Sequence, residues 1–304
     1  PVELPEEGAV YDYNFDVAEN QFTLWIERSK NFQVNPNLNF SSQFSEIVVP
    51  TNNYNRMLYL LETLIKNNIH VLCPGPTGTG KSLYADTLLT SVLKPEEFQY
   101  ITMTFSAQTT ANQTQDTIDS KMDKRRKGIY GPPTGKRCVI FVDDLNMPKK
   151  ETYGAQPPIE ILRQHMDHKG WYERKTIQFM KLEDLIFLSA MGPPGGGRSF
   201  ISARMIRHFN MITYTDIDEE TVSYIFSMIL DSFLSKFLEP IRNLKSTLIE
   251  TVLYTFEAVK RDLRPTPAKS FYTFNLRDIS KVFQGICSSN PRYYVDPSQI
   301  VRLW

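Results

Sequence analysis

Short apolar segments alternate with amphipathic stretches through the middle of this chain. Five runs are apolar or β-prone, and they cover residues 69–73, 100–105, 138–142, 185–190 and 209–214. The stretches between them carry helical periodicity or turn-forming residues. Strands that alternate with helices in this way form a mostly parallel sheet with crossover helices. The pattern therefore predicts an α/β domain over residues 46–214.

Two stretches interrupt this alternation, at residues 126–136 and 169–181, where aromatic and β-branched residues surround glycine or proline. We expect both to be hairpin insertions. Residues 1–45 are interpreted as an extended lead-in, with a short amphipathic helix over residues 21–30. Thr51 is a candidate N-cap of the next helix. Beyond Tyr214 only helical periodicity continues, so residues 215–304 are expected to form a small all-helical domain.

The first strand of the α/β pattern leads directly into a complete GxxxxGK[ST] string. In such a loop the backbone N–H groups surround a phosphate chain, and Gly78 and Gly80 permit the close approach and the unusual dihedral angles. Lys81 is placed to reach the terminal phosphates, and Ser82 to put a hydroxyl on Mg²⁺. The alternative is an ordinary glycine-rich turn. The candidate nucleotide-binding residues are Gly75, Pro76, Thr77, Gly78, Thr79, Gly80, Lys81, Ser82 and Leu83.

A second chemical motif follows the apolar run at residues 138–142, which ends in two carboxylates. Asp143 is expected to hold Mg²⁺ together with Ser82, and Asp144 to polarise an attacking water. The alternative is a pair of aspartates that cap the next turn. After a phosphate loop, the catalytic interpretation is favoured, and the expected cofactors are ATP or ADP with Mg²⁺.

Composition narrows the choice of partners. The 304 residues are 41% hydrophobic, and 34 basic residues balance 34 acidic ones, so the net charge is zero. We expect neither nucleic acid nor a membrane as partner, since no basic excess and no bilayer-length apolar stretch occur. The three cysteines have no metal-like spacing, and we expect core thiols in a reducing, cytoplasmic setting. His165, Asp167 and His168 are interpreted as a helix-end polar cluster rather than a metal site.

Taken together, the phosphate loop, the acidic strand, the helical second domain and the late arginines resemble an AAA+ ATPase module. Four longer strings resemble the third AAA+ module of axonemal dynein heavy chains, namely VLCPGPTGTGKS, FVDDLNMPKKETYGAQPPIEILRQ, SAMGPPGGGRSFISARMIRHFN and FNLRDISKVFQGI. The resemblance covers essentially the whole chain. It implies a P-loop domain with a helical lid, in a motor ring of the axonemal cytoskeleton of a cilium or flagellum. Its implied partners are adjacent AAA+ modules of the same heavy chain, and microtubules only through a stalk outside this chain.

The resemblance also implies roles for residues outside the two motifs. Val49, Pro50 and Thr51 resemble the loop that holds the adenine. Arg204 falls where the family places an arginine finger, which would serve the nucleotide of a neighbouring module. Arg277 matches the sensor II position and would touch the γ-phosphate of this module's own nucleotide. For each arginine the alternative is a solvated helix face or a surface ion pair.

Two departures from the family pattern bear on catalysis. Asp144 stands where AAA+ modules usually have Glu, so its carboxylate is about one methylene shorter. The fourth strand usually ends in a polar sensor, and here Ser189 is the candidate, since Met191 and Gly192 cannot supply that hydrogen bond. Three functions therefore stay open: a regulatory nucleotide-binding module with slow hydrolysis, a nucleotide-stabilised structural module without catalysis, and a self-contained P-loop nucleotide kinase.

Overall fold

The computed structural model describes residues 4–6, 8–269 and 271–303. The strands are β1 (Tyr13–Asp16), β2 (Gln21–Leu24), β3 (Val71–Pro74), β4 (Phe98–Thr104), β5 (Asp123–Arg126), β6 (Ile129–Gly131), β7 (Arg137–Asp143), β8 (Gly170–Tyr172), β9 (Phe179–Leu182), β10 (Leu185–Met191) and β11 (Asn210–Met211). The α-helices are α1 (Phe40–Gln43), α2 (Asn52–Lys66), α3 (Lys81–Thr87), α4 (Ala111–Asp119), α5 (Pro157–His168), α6 (Ala203–Ile206), α7 (Glu219–Leu234), α8 (Glu239–Arg242), α9 (Lys245–Asp262), α10 (Leu276–Cys287) and α11 (Pro297–Val301).

The described residues form two compact units. One contains the residues up to Arg56 together with those from Ile217 onward, and the other spans Met57–Asp216. We call them the helical unit and the sheet unit. Within the part of the chain that is described, no helix has both the length and the apolar character needed to cross a membrane.

The sheet unit is built on five parallel strands in the order β11-β3-β10-β7-β4. This confirms the predicted parallel α/β sheet. The three central strands are almost continuously apolar and buried, as expected for a parallel sheet covered on both faces. Since β10 lies between β3 and β7, the loops that follow these three strands leave the sheet side by side, at the edge where their carboxyl ends meet.

The predicted insertions at residues 126–136 and 169–181 overlap two β-hairpins, β5–β6 and β8–β9, although the first begins earlier, at Asp123, and ends at Gly131. They join through a parallel pairing of β6 with β9 and so make one four-stranded sheet. Trp171 of β8 is fully buried, and its indole N–H donates to Asp119 Oδ1 at 3.0 Å. This polar anchor allows a large aromatic ring to fill the core beside α4.

The helical unit has a separate core, which α7, α9 and α10 share with residues between Val34 and Val49. Phe40 of α1 meets Phe233 of α7 edge to face at 5.4 Å, and Phe226 stacks on Phe283 at 4.2 Å. The segment predicted as a lead-in therefore contributes buried side chains to the helices that follow Ile217.

The prediction of an amphipathic helix over residues 21–30 is wrong. That segment forms β2 and then a 3-10 turn over Trp25–Ser29. The cross-strand pair of Phe15 and Phe22, with ring centroids 5.1 Å apart, favours the hairpin of β1 and β2 over a helix. Trp25 is buried, and its indole N–H donates to the Tyr11 carbonyl at 3.0 Å. The predicted helix after Thr51 is present as α2, and Thr51 Oγ1 accepts from the Tyr54 amide at 3.1 Å.

Candidate nucleotide-binding site

The phosphate loop leaves β3 at the carboxyl edge of the parallel sheet and ends where α3 begins at Lys81. At two positions of the loop, the backbone conformation or its surroundings require glycine. A Cβ atom on Gly75 would lie 2.5 Å from the Tyr214 carbonyl oxygen, so only glycine allows this approach. Gly80 has φ +82°, in the left-handed region that side chains disfavour. The loop backbone is thereby held close to the sheet and turned directly into the helix.

The Lys81 ammonium is half-buried inside this loop. Its Nζ donates to the Gly75 carbonyl at 2.9 Å, to Thr79 Oγ1 at 3.3 Å, and also to the Pro76 carbonyl. Burial is the largest influence and lowers the pKa of Lys81, while the negative charges of Asp143 and Asp144 raise it. The ammonium therefore lies within electrostatic range of both carboxylates that follow β7.

Ser82 and Asp143 meet directly, although they are 61 positions apart in the chain. The Ser82 hydroxyl donates to Asp143 Oδ2 at 2.6 Å, and the Asp144 amide donates to Asp143 Oδ1 at 2.9 Å. A hydroxyl and a carboxylate are the hard oxygen ligands that Mg²⁺ prefers. With Lys81 beside them, these donors fit a Mg²⁺-bound polyphosphate.

Asp144 has φ +52° and its carboxylate is paired with Arg198. One guanidinium nitrogen of Arg198 donates to Asp144 Oδ1 at 3.1 Å. Sequence reasoning missed Arg198 as a functional residue. The available signal was its place in the loop after β10, since the order of the strands puts that loop next to the one after β7.

Asn146 is a second residue that sequence reasoning missed. It is 1% exposed, and its side-chain amide donates to the Gly192 carbonyl at 2.8 Å. The backbone carbonyl of Asn146 accepts from the Ser199 amide at 2.9 Å. Asn146 thus ties the loop after β7 to both ends of the segment between Gly192 and Ser199.

Ser189, the candidate for the polar sensor that the family places at the end of its fourth strand, lies in β10 and is enclosed in the sheet. It is 0% exposed and lies in register with Leu72 on one side and Val142 on the other. Its hydroxyl oxygen is buried and has no hydrogen-bond partner among the described residues.

Of the remaining candidates of the sheet unit, Thr79 is buried, Pro76 and Gly78 are half-buried, and three others are exposed. Thr77 and Leu83 are exposed at the loop and on α3. Arg204 is exposed on α6, and in residues 4–6, 8–269 and 271–303 it forms no ion pair within 4.0 Å. Arg207 nearby differs, because it donates to Asp167 at 2.5 Å. The exposed position of Arg204 leaves it available to another protein surface.

The other predicted residues belong to the helical unit. Val49, Pro50 and Thr51 are buried, and Val49 lies in the core that also contains Ile279 of α10. Arg277 is exposed in the first turn of α10, where its amide donates to Asn275 Oδ1 at 2.9 Å. The adenine-loop and sensor II candidates thus share one packed unit.

The predicted polar cluster on α5 divides into two environments. Asp167 forms ion pairs with Arg163 and Arg207, and His208 Nε2 lies 3.0 Å from its carboxylate. His165 instead faces the core, where its ring lies 5.8 Å from that of Trp171. Among the described residues, no group of three or more His, Cys, Asp or Glu side chains could hold a metal ion.

Comparison with known proteins supplies the family. A family model for the P-loop containing dynein motor region matches residues 36–217, and one for the AAA+ lid domain matches residues 248–304. The chain belongs to the AAA+ dynein motor family. Nucleotide binding by its P-loop follows from that membership.

Several axonemal dynein heavy chains are similar to this AAA+ chain. Dynein axonemal heavy chain 1 of Mus musculus is 46% identical over 332 aligned positions, which cover 99% of this chain and 8% of that protein. Dynein axonemal heavy chain 3 of Homo sapiens is 40% identical over 304 positions, covering 99% and 7%. Dynein axonemal heavy chain 12 of Rattus norvegicus is 41% identical over 283 positions, covering 92% and 9%. The chain thus spans less than a tenth of the length of these relatives.

Proposed function

We propose that this chain is the third AAA+ module of an axonemal dynein heavy chain and that it regulates microtubule-based motility through its nucleotide state. The observation that carries the proposal is the direct contact of Ser82 with Asp143 beside the half-buried Lys81 ammonium. This contact brings together the groups that the two motifs reserve for Mg²⁺ and the terminal phosphates. Membership of the dynein motor family supports the motor setting.

Within this proposal each side chain has a distinct task. The backbone between Gly75 and Gly80 surrounds the phosphates of ATP or ADP, and Lys81 binds the terminal ones. Ser82 and Asp143 hold Mg²⁺, which neutralises phosphate charge when it is bound. Asp144 orients the attacking water.

Four residues of the helical unit receive roles from the AAA+ resemblance alone. Val49, Pro50 and Thr51 surround the adenine, and Arg277 reads the γ-phosphate. If these residues contact ATP and ADP differently, the conformation of the chain would depend on the bound nucleotide and so carry a signal.

The proposed partners follow from the motor setting. Adjacent AAA+ modules of the same heavy chain would flank this one, and the exposed Arg204 would complete the site of a neighbour. Microtubules would be reached only through a stalk outside this chain. The similarity to axonemal dynein heavy chains supports the axoneme of a cilium or flagellum as the location.

A nucleotide-stabilised module without catalysis is the second candidate function. Two observations favour it: the ion pair that engages Asp144, and the burial of Ser189 inside the sheet. The self-contained kinase is not retained, because the chain belongs to the AAA+ dynein motor family.

Calorimetric titration with ADP and ATP, with and without Mg²⁺, tests the proposal. We expect the wild-type chain to bind both nucleotides and Lys81→Ala to weaken binding by at least about 30-fold, the equivalent of one charged hydrogen bond of about 2 kcal/mol. Lys94→Ala is the matched control, since the Lys94 side chain is 72% exposed and lies beyond α3, outside the loop. Equal affinities of the Lys81 variant and the wild type would contradict the assigned site.

Single-turnover hydrolysis separates the two candidate functions. Slow conversion of bound ATP to ADP that is lost in Asp144→Asn supports the regulatory module. Stable retention of ATP supports the structural one.

A further inference from the structure

Arg198 is an arginine of the sheet unit that neither motif contains, yet it reaches the centre of the candidate site. It ends the glycine-rich loop after β10, and its guanidinium lies against the Asp144 carboxylate at 3.1 Å. The two side chains are only 23% and 34% exposed. Because both side chains are partly buried, solvent and salt screen this pair less than a fully exposed one.

The loop around Arg198 is built to hold the side chain in this place. A Cβ atom on Gly192 would lie 2.8 Å from Arg198 Nε and 3.0 Å from its Cδ, so the side chain folds back across a bare glycine. The Asn146 side chain holds the carbonyl of that same glycine at 2.8 Å. Backbone hydrogen bonds between Gly195 and Arg198 close the loop at 3.0 Å in both directions.

The guanidinium still has hydrogen-bonding capacity to spare. Its Nε is buried and has no hydrogen-bond partner among the described residues. Leaving such a donor unpaired costs free energy, and a guanidinium carries five N–H donors in a fixed planar fork. The Asp144 carboxylate therefore uses only part of what Arg198 offers.

Arg198 lies within electrostatic range of the Lys81 ammonium. The positive charge of Arg198 acts on the Lys81 ammonium and lowers its pKa, while Asp143 and Asp144 act in the opposite direction. A planar guanidinium binds carboxylate and phosphate oxygens in the same two-pronged way, so a phosphate could share it with Asp144.

We propose that Arg198 is a positioning residue of this module's own nucleotide site, which orients Asp144 and senses the γ-phosphate from the loop after strand β10. It would thereby take the role for which Ser189, enclosed in the sheet, is not placed. The inference rests on the proposed function and deepens it, since Arg198 would make the site distinguish a triphosphate from a diphosphate.

The first test compares the affinities of ADP and the slowly hydrolysed analogue ATPγS by calorimetry. We expect Arg198→Ala to weaken ATPγS binding by about tenfold or more, the equivalent of about 1.4 kcal/mol, and to change ADP binding less than about twofold. Arg198→Lys keeps the charge without the fork, so only partial recovery is expected. Arg207→Ala is the matched control, because Arg207 is an exposed arginine of the same unit that pairs with Asp167.

Each outcome of this titration has a definite meaning. An unchanged ratio of the two affinities in Arg198→Ala would overturn the inference alone. Full recovery by lysine would show that charge and not orientation is responsible, and would overturn it as well. Failure of the wild-type chain to bind either nucleotide would instead overturn the proposed function.

The second test needs no nucleotide. Urea unfolding of Arg198→Ala, Asp144→Asn and the double variant forms a double-mutant cycle. If the ion pair positions Asp144, the urea midpoint of the double variant should be no lower than that of the less stable single variant. Losses that simply add would overturn the positioning role.

Discussion

At the scale of single residues, burial decides the chemistry more than sequence spacing does. His165 lies among polar residues in the sequence, but helix α5 turns it into the core, where it is 1% exposed against Trp171 and Phe187. Burial lowers its pKa to about 3, and the nearby positive charge of Lys169 acts in the same direction. The imidazole is therefore neutral in the folded protein at every pH near neutrality.

This burial predicts how stability depends on pH. Because the folded-state pKa of His165 is about 3 and the ordinary value is 6.5, the unfolded chain takes up a proton between these pH values that the folded chain does not. The free energy of unfolding should therefore be fully retained above pH 6.5 and fall below it, by up to about 1.4 kcal/mol per pH unit for this one group. In urea unfolding at pH 7, 6 and 5, the free energy of unfolding of His165→Phe should decrease less steeply with falling pH than that of the wild type.

Two further observations sharpen this test. His70, whose pKa burial lowers to about 4, should leave a residual slope in the His165 variant. The control His168→Gln changes an exposed histidine of the same helix. Parallel pH curves for the wild type and His165→Phe would show that the buried imidazole contributes nothing.

At the scale of elements, local sequence patterns predicted the strands and the loop, whose residue types are set by their immediate surroundings. The apolar runs identified the parallel strands, because a buried strand requires a continuous apolar sequence. The loop up to Ser82 and the carboxylate of Asp143 were predictable because the phosphate site needs fixed residue types at fixed spacing. The pairing of β6 with β9, and that of Arg198 with Asp144 across 54 positions, follow from the order of the strands, which no local pattern carries.

Helix α1 should contribute strongly to the stability of the helical unit. Phe40 is 5% exposed and packs on Phe233, so Phe40→Ala removes a buried ring and leaves a cavity. We expect a loss of about 3–5 kcal/mol in the free energy of unfolding, measured with urea. The control Phe271→Ala changes a ring that is 69% exposed and should cost less than about 1 kcal/mol. Similar losses for the two variants would mean that residues near Phe40 are not part of this core.

At the scale of the whole molecule, family match and packing divide the chain differently. The dynein motor match begins at residue 36, but residues from there to Arg56 pack in the unit that contains the chain beyond Ile217. The adenine-loop candidates Val49, Pro50 and Thr51 therefore lie in the same unit as Arg277, although the sequence pattern placed them with the sheet. The domain boundaries at residues 46 and 214 remain a prediction.

The chain on its own should be a slow ATPase. If this is one module of a ring, the arginine finger for its nucleotide comes from a neighbour, and such a finger contributes about 10³–10⁵-fold to the rate. The lone chain should therefore hydrolyse ATP slowly in a single-turnover assay. Asp144→Glu should raise that rate by far less than a finger does, because a longer carboxylate adds no positive charge on the phosphates.

Arg204 decides between the ring and a self-sufficient site. It is exposed on α6, so we expect it to serve a neighbour and Arg204→Ala to change the rate of the lone chain less than about twofold. Lys81→Ala in the same assay should remove hydrolysis altogether, which shows that the measured turnover belongs to this site. A fast turnover that collapses in Arg204→Ala would mean that the arginine acts within its own module, and the ring assignment would then be wrong.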